Sequence, residues 1–437
     1  MSWKSLSVFV LVQLGVGVLP VSRADDWPQW RGPGGQGVSR AVDVPIRWSE
    51  GENVAWKTPI RGLGWSSPVI LGDQIWLTTA ETVPANKAEE DARRKATTNN
   101  QPLEFVGKVM LRAVCIDKRS GEIVKDILVM TDDNPDPIHA ENSYATPTPV
   151  IEGERLYCHY GTHGTGCVDT TTGQVLWTNQ ELRINHENGP GSSPVVWGDL
   201  VMFHCDGSNV QYVAAINKHS GEVAWRVDRT GELNGNPQLR KAYATPLSVE
   251  IDGEAQLMSP GADWIYSYDP VTGKENWKLS YGQLGFSNAS RPVFHDGILY
   301  LCTGFMKSRM LAIDCTHPNE PQQLWTFAKQ VSAVSSPIVV DGRLYFISDR
   351  GVATCLDAKT GEPKWQSRVG GNHWSSPIYV DGFIVFSSKE GVSTVVRAAD
   401  DFEIVSRNQL DGTIMASVAA VDNAMFIRTD KAIYRIE

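Results

Sequence analysis

A short pattern recurs along this chain and restricts its architecture before any single residue is weighed. In Ala353–Trp365 a small apolar segment runs into Asp357, turns through Lys359, Thr360 and Gly361, and re-emerges carrying Trp365. The same Asp-to-Trp interval separates Asp169 from Trp177, Asn217 from Trp225 and Asp269 from Trp277. Asp314 and Trp325 keep it with an insertion, and Asp117 to Glu122 keeps the turn without the Trp. Each copy reads as a β-hairpin whose Asp side chain bonds the turn backbone and whose Gly takes a positive φ. The 437 residues alone would suggest two or three domains. Repetition at this period points instead to one array of small units.

The units share an opening of two small residues, usually followed by Pro. Eight such openings occur, at Ser66-Ser67-Pro68, Ala145-Thr146-Pro147, Ser192-Ser193-Pro194, Ala244-Thr245-Pro246, Ser290-Arg291-Pro292, Ser335-Ser336-Pro337, Ser375-Ser376-Pro377 and Ala416-Ser417-Val418. Each leads into two apolar strands joined by a tight turn, such as Gly72-Asp73, Asp341-Gly342 or Asp381-Gly382, and then into the Asp…Gly hairpin. Four short strands per unit predict an all-β fold, an eight-bladed β-propeller of four-stranded antiparallel blades. The last unit, from Ala416, has room for three strands only, and Asn53–Lys57 is an orphan Trp-bearing strand that would complete it. Closing the ring in this way removes exposed sheet edges. Seven blades is the count if the last unit is a cap. Trp56, Trp177, Trp225, Trp277, Trp325 and Trp365 are expected to pack on the Gly-bearing turn of the adjacent blade as six structural ties.

The first 24 residues read as a separate segment. Lys4 precedes an apolar run from Leu6 to Leu19, and Ser22-Arg23-Ala24 supplies the small residues of a cleavage site, which predicts a signal peptide and an exported, periplasmic or cell-envelope protein. The apolar run is too short for a comfortable membrane span, so the chain is expected to be soluble after cleavage. Losing Lys4 and Arg23 but no acid would take the formal charge from −10 to −12. That acidity argues against nucleic acid as a partner. Residues 25–47 form an aromatic, Gly-rich N-terminal arm expected to pack on the body, and 48–437 form the propeller. Of the seven Cys, Cys115, Cys167 and Cys355 share a register that accepts Ala or Ser elsewhere, which marks a packing slot. Cys158 and Cys167 flank one hairpin and could pair across it as a disulfide.

Function must lie where the copies differ. Residues 80–107 interrupt the first unit, and their charged middle reads as a solvated excursion in preference to a surface helix. The connections at 126–143, 178–190 and 226–242 are long, so a binding face is expected over the first four blades. Trp65, Tyr144, Tyr243 and Trp374 stand immediately before their small pairs. Around one channel mouth they could stack on a flat ligand, a sugar ring or a peptide, or simply pack at the top of their blades. Arg291 replaces a Ser or Thr and is a candidate to hold an anion at the channel. The His139, Glu141 and Asn142 loop, and His159 with His163, read as turn residues rather than metal ligands. No catalytic constellation, nucleophile elbow or phosphate loop is present.

The Asp…Gly…Trp hairpins, the Ser-Ser-Pro openings and the count of eight resemble the pyrroloquinoline-quinone (PQQ) repeat propellers, the family of quinoprotein alcohol dehydrogenases and of the outer-membrane assembly factor BamB. The arm at Trp27–Pro33, with Val54–Lys57 and Trp65–Pro68 after it, is similar to exported BamB-like members of planctomycete-type bacteria. For the dehydrogenase branch the resemblance would imply an adjacent Cys-Cys disulfide and a Ca²⁺ site of Glu, Asn and Asp; this chain has no Cys-Cys pair and no haem-attachment motif. The expectation is therefore a non-catalytic, monomeric scaffold for an envelope protein or polymer, with no cofactor and no metal. PQQ is possible but not supported by the residues. The alternatives are a quinone- or metal-dependent oxidoreductase at the channel mouth and a carbohydrate-binding propeller.

Overall fold

The computed structural model describes residues 26–317 and 319–437, so the predicted signal peptide lies outside the described residues. Eight four-stranded antiparallel sheets follow one another along the chain. Blade 1 comprises Val69–Leu71, Gln74–Pro84, Val106–Asp117 and Ile123–Asp133. Blades 2 to 7 start at Val150, Val195, Leu247, Val293, Ile338 and Ile378. Blade 8 holds Ala419–Val421, Ala424–Arg428 and Ala432–Ile436, and its fourth strand is Val54–Pro59, antiparallel to the last strand with Trp56 opposite Arg435. The ring is thus closed by the N-terminal strand, and the seven-bladed count does not apply.

The repeated hairpin owes its shape to its polar residues. Asp357 Oδ1 accepts the N–H groups of Lys359 and Thr360 at 3.1 and 2.9 Å, and Gly361 turns the chain at φ 73°. Across the hairpin Cys355 pairs with Trp365, as Cys167 does with Trp177, Ala215 with Trp225 and Ser267 with Trp277. The small slot is small because an indole stands opposite it. All seven Cys are buried and free: Cys158 pairs with Gly166 and Cys167 with Tyr157, so the pair once in reach of a disulfide is not opposed.

Four of the tryptophans meet a Gly turn of the next blade, a fifth meets a turn without Gly, and the sixth places its indole hydrogen bond within its own blade. Trp56, Trp177, Trp225 and Trp325 cover Gly121, Gly221, Gly273 and Gly361, so closely that a Cβ on each Gly would lie 2.6 or 2.7 Å from the ring. Their indole N–H groups also donate to carbonyls of that turn, as Trp177 does to Lys218 at 3.2 Å. Trp365 donates to Ala399 at 3.1 Å in a turn without Gly and packs on Phe402. Trp277 departs from the expectation. Its N–H donates to Gln256 of its own blade at 3.1 Å, because the next hairpin is the one with the insertion and presents no Gly turn.

The interruption at 80–107 is more ordered than a solvated excursion. Its ends lengthen two strands of blade 1, and its middle forms a helix, Lys87–Ala96, capped by Asn86, whose side chain accepts the Glu89 N–H at 2.9 Å. Arg93 fastens this helix by donating to the carbonyls of Val106 at 2.8 Å and of Pro135.

The N-terminal arm closes the channel on the side of the hairpin turns. Trp27 exchanges two backbone hydrogen bonds of 2.8 Å with Ile70 of blade 1, Pro28 accepts from Ile151 of blade 2, and Gly37 accepts from Tyr379 of blade 7. The innermost strands would otherwise leave these N–H groups unpaired. Arg31 donates to Pro337 of blade 6 and Pro377 of blade 7, and Trp30 donates to Ser417 of blade 8.

Candidate functional site: the mouth of a blind channel

The small residues that open each blade form a belt around the channel. In seven places the backbone N–H of one belt residue donates to the side-chain hydroxyl of the next blade at 2.9 to 3.1 Å: Ser67 to Thr148, Thr148 to Ser193, Ser193 to Thr245, Arg291 to Ser336, Ser336 to Ser376, Ser376 to Ser417 and Ser417 to Ser67. Only a short hydroxyl side chain fits this role, which explains the Ser and Thr of the motif. In blade 2 the belt residue is Thr148, not Thr146, so this opening lies two residues later than its spacing to Tyr144 implied. Pro149, followed four residues later by the Gly153 turn as Pro68 is by Gly72, is the signal that fixes the register.

Two residues before each belt position stand Trp65, Thr146, Gly191, Tyr243, Ala289, Val334, Trp374 and Met415, and all line one chamber of about 130 Å³ with Trp30 of the arm beside them. Trp65, Tyr243 and Trp374 are therefore brought together. Tyr144 is not: it is buried beside the channel, its hydroxyl donates to Asp136 at 2.9 Å, and its ring packs edge-on against His163.

Arg291 does not face the channel as a free cation. It is 2 % exposed, and it donates to Trp30 O at 2.8 Å, Pro246 O at 3.1 Å and Gln29 Oε1 at 3.2 Å. The belt residue without a hydroxyl is thus the anchor of the arm, and the anion site expected there is replaced by a plug. Burial lowers its pKa to about 9, which leaves it charged at neutral pH. Gly35 lies against this guanidinium, where a Cβ would come within 2.3 Å of Nη1.

Above the chamber the loop-bearing face opens into a cleft of about 660 Å³. The two share Asn142, Thr146, Gly191, Tyr243, Ala289, Val334 and Trp374. The wall comes from loops of the first five blades: Thr98–Gln101, His139–Asn142, Asn188–Gly191, Gln238–Tyr243, and Phe286 with Phe305. Asn142 ties two of these loops, donating to Asn188 O at 2.7 Å and Pro190 O at 3.2 Å. Tyr243 is held by a bond to His186 O at 2.6 Å. On the far side Lys389 lies 4.5 Å over the Trp374 ring and pairs with Glu141 at 2.5 Å, while Trp65 donates to Glu141 O at 3.1 Å. Lys241 is 4 % exposed, bonded to Gln238 Oε1 at 2.8 Å and 3.5 Å from Glu187. Burial lowers its pKa, and Glu187 opposes that shift. Lys241 and the amides of Asn99, Gln101, Asn188 and Gln238 were not singled out from the sequence, because their loops carry no repeat pattern.

The candidate metal groups do not converge. His163 Nδ1 bonds Asp132 at 2.8 Å, His159 Nδ1 bonds Thr165 at 2.8 Å, and His139 Nδ1 accepts the Glu141 N–H at 3.1 Å. Among the described residues no three His, Cys, Asp or Glu side chains are grouped to hold a metal ion. PQQ is a flat tricarboxylate. Neither Arg nor a second Lys lines the chamber or the cleft, and the one Lys that does already has Glu187, so this donor set does not fit the quinone.

Fold and site together define an eight-bladed propeller with a ligand-sized blind cleft at one channel mouth. A family model described as outer membrane protein assembly factor BamB matches residues 112–367 and 315–434, and the chain belongs to that family. A comparison with curated protein sequences finds no match. Among solved structures the chain is similar to BamB from Moraxella catarrhalis, with 13 % identity, a TM-score of 0.52 and coverage of 81 % of this chain and 96 % of that one. It is also similar to a europium-containing methanol dehydrogenase, with 11 % identity, a TM-score of 0.64 and coverage of 92 % and 89 %. Quinohemoprotein alcohol dehydrogenase from Comamonas testosteroni matches at 11 % identity and a TM-score of 0.57, over 94 % and 80 %. At these identities the likeness concerns the fold.

Proposed function

We propose that this protein is a non-catalytic, exported binding propeller that holds a protein or polymer partner of the cell envelope at the channel mouth. The observation that carries this reading is the blind cleft of about 660 Å³, walled by aromatic and amide side chains on loops that blade packing does not require. Its volume falls in the range of sites that enclose a ligand rather than of a flat contact. Its Lys241 and Glu141 are each paired with a counter-ion inside the protein, which suits binding. Membership of the BamB family supports a partner in the envelope. Among the described residues no helix is long and apolar enough to cross a membrane.

The test has two arms. A photo-crosslinking residue at Phe305, on the cleft wall, is expected to trap a partner in intact cells, and one at Val271, in a hairpin turn on the opposite face, is not. Incubation with PQQ and Ca²⁺ is expected to give no dye-linked oxidation of alcohols or sugars. Turnover in that assay would replace this reading with the oxidoreductase one.

A further inference from the structure

We infer that the cleft takes the end of an uncharged glycan chain, seated through the mouth with its terminal sugar in the chamber. This rests on the binding reading above and names the chemical class of the ligand. Three observations carry it.

Access comes first. The arm fills the channel from the side of the hairpin turns, with Trp30 lining the chamber and Arg31 and Arg291 fixing the arm to blades 4 to 7. A polymer cannot thread this ring; it can enter only by an end. The chamber beyond the mouth has room for one ring-sized group.

Charge comes second. The cleft is lined by one ammonium, Lys241, and one carboxylate, Glu141, and each has its counter-ion in the protein, Glu187 and Lys389. A charged ligand would have to break a pair or be desolvated without a partner, which costs more than it returns. A neutral ligand meets no such penalty.

The third is the kind of polar group on offer. His139 Nδ1 accepts a backbone N–H, so in the neutral ring the proton resides on Nε2 and that edge is a donor. The Lys241 ammonium has three hydrogens; one goes to Gln238 Oε1 at 2.8 Å, and Glu187 stands 3.5 Å away as its counter-ion. Of the two, the Lys241 ammonium is buried, and a buried donor requires a partner. Hydroxyl groups both donate and accept, so they can serve a leftover ammonium hydrogen, an imidazole N–H and side-chain amides in turn. Tyr243, Phe286, Phe305 and Trp374 in the same wall supply the apolar surface that the C–H face of a pyranose covers.

The probes are soluble cello-, xylo-, manno-, malto- and chito-oligosaccharides, with oligogalacturonate and an apolar decapeptide beside them, read by calorimetry and tryptophan fluorescence on the full mature chain. One neutral series is expected to bind. Its molar affinity is expected to stop rising beyond a few sugars and to be lost when the recognised chain end is blocked. Phe305→Ala, which alters a 42 %-exposed side chain, and Trp374→Ala are each expected to weaken binding tenfold or more, with thermal unfolding midpoints confirming that both variants fold. Silence across all neutral series overturns the inference. So do tight binding of oligogalacturonate or the decapeptide in their place, indifference to a blocked end, and affinity unchanged in both variants. If the glycans are silent while the crosslinker at Phe305 still traps a partner, the glycan assignment falls and the binding reading stands; if both fail, both fall.

Discussion

Gly221 and Gly253 both adopt positive φ, at 76° and 80°, but an added methyl group meets different surroundings at each. At Gly253 it would enter open space; at Gly221 it would lie 2.6 Å from the Trp177 ring of the preceding blade. Gly253→Ala is therefore expected to cost only the left-handed backbone penalty, about 1–2 kcal/mol. Gly221→Ala should cost that plus the displacement of an indole that seals two blades, about 2 kcal/mol more by analogy with overpacked cores. Equal midpoints for the two variants in urea would show that the Trp does not tie the blades. The Asp, Gly and Trp of this tie were legible in the sequence because they recur at one spacing, and four of the tryptophans meet a Gly turn alike. The failures at Trp277 and Tyr144 have the same origin in reverse. Trp277 has no Gly turn to receive it, and Tyr144 belongs to a blade whose two successive Thr-Pro steps, at Thr146-Pro147 and Thr148-Pro149, allow two registers that differ by two residues. Arg291 was visible as an odd residue, but its partner lies 261 positions away in the arm, beyond the reach of any local pattern.

At the scale of the element, the arm depends on glycines and guanidinium groups together. Gly32 lies against the Trp27 ring, Gly35 against Arg291 and Gly37 against Arg31, and all three have positive φ. Arg31 and Arg291 are both buried without a carboxylate partner, so their charge is balanced only by carbonyl oxygens and one amide. Arg291→Ser keeps a belt hydroxyl but removes the grip. In that variant trypsin is expected to cut after Arg31, which is 2 % exposed in the native protein, and peptide mass mapping would detect the new terminus. Continued protection of Arg31 would mean that the backbone pairing of Trp27 and Gly37 holds the arm unaided. The helix Lys87–Ala96 illustrates a second limit on reading elements from sequence. It has no buried residue and hence little apolar stripe, and what fixes it is Asn86 at its start and Arg93 reaching two carbonyls outside it.

The whole molecule should be sensitive to acid well above the range in which its carboxylates protonate. His159 and His186 are buried, and burial pushes each pKa down to about 3. Burial likewise holds His204 well below its ordinary value. The unfolded chain binds protons at these rings near pH 6.5 while the folded chain does not, so stability is complete above pH 6.5 and falls as pH decreases. The slope is about 1.4 kcal/mol per pH unit for each ring. Melting curves from pH 8 to pH 4.5 should show a midpoint that declines below about pH 6.5. His186→Gln, which keeps an acceptor for the Thr162 N–H, should lessen the decline. A midpoint that stays level down to pH 5 would mean that these rings are protonated in the folded state.

Closure by the N-terminal strand also sets an order of assembly. Trp30 leaves the ribosome 387 residues before Ser417, the hydroxyl its indole N–H meets, and Val54–Pro59 must wait for the final strand, Ala432–Ile436, before it has a neighbour to pair with. Contacts of such sequence separation form late and slowly. Until then the Trp30 N–H lacks Ser417 and Val54–Pro59 presents an unpaired edge, which marks an unfinished or truncated chain for proteolysis. The ring therefore acts as its own inspection step: a copy lacking its last strand leaves Val54–Pro59 unpaired.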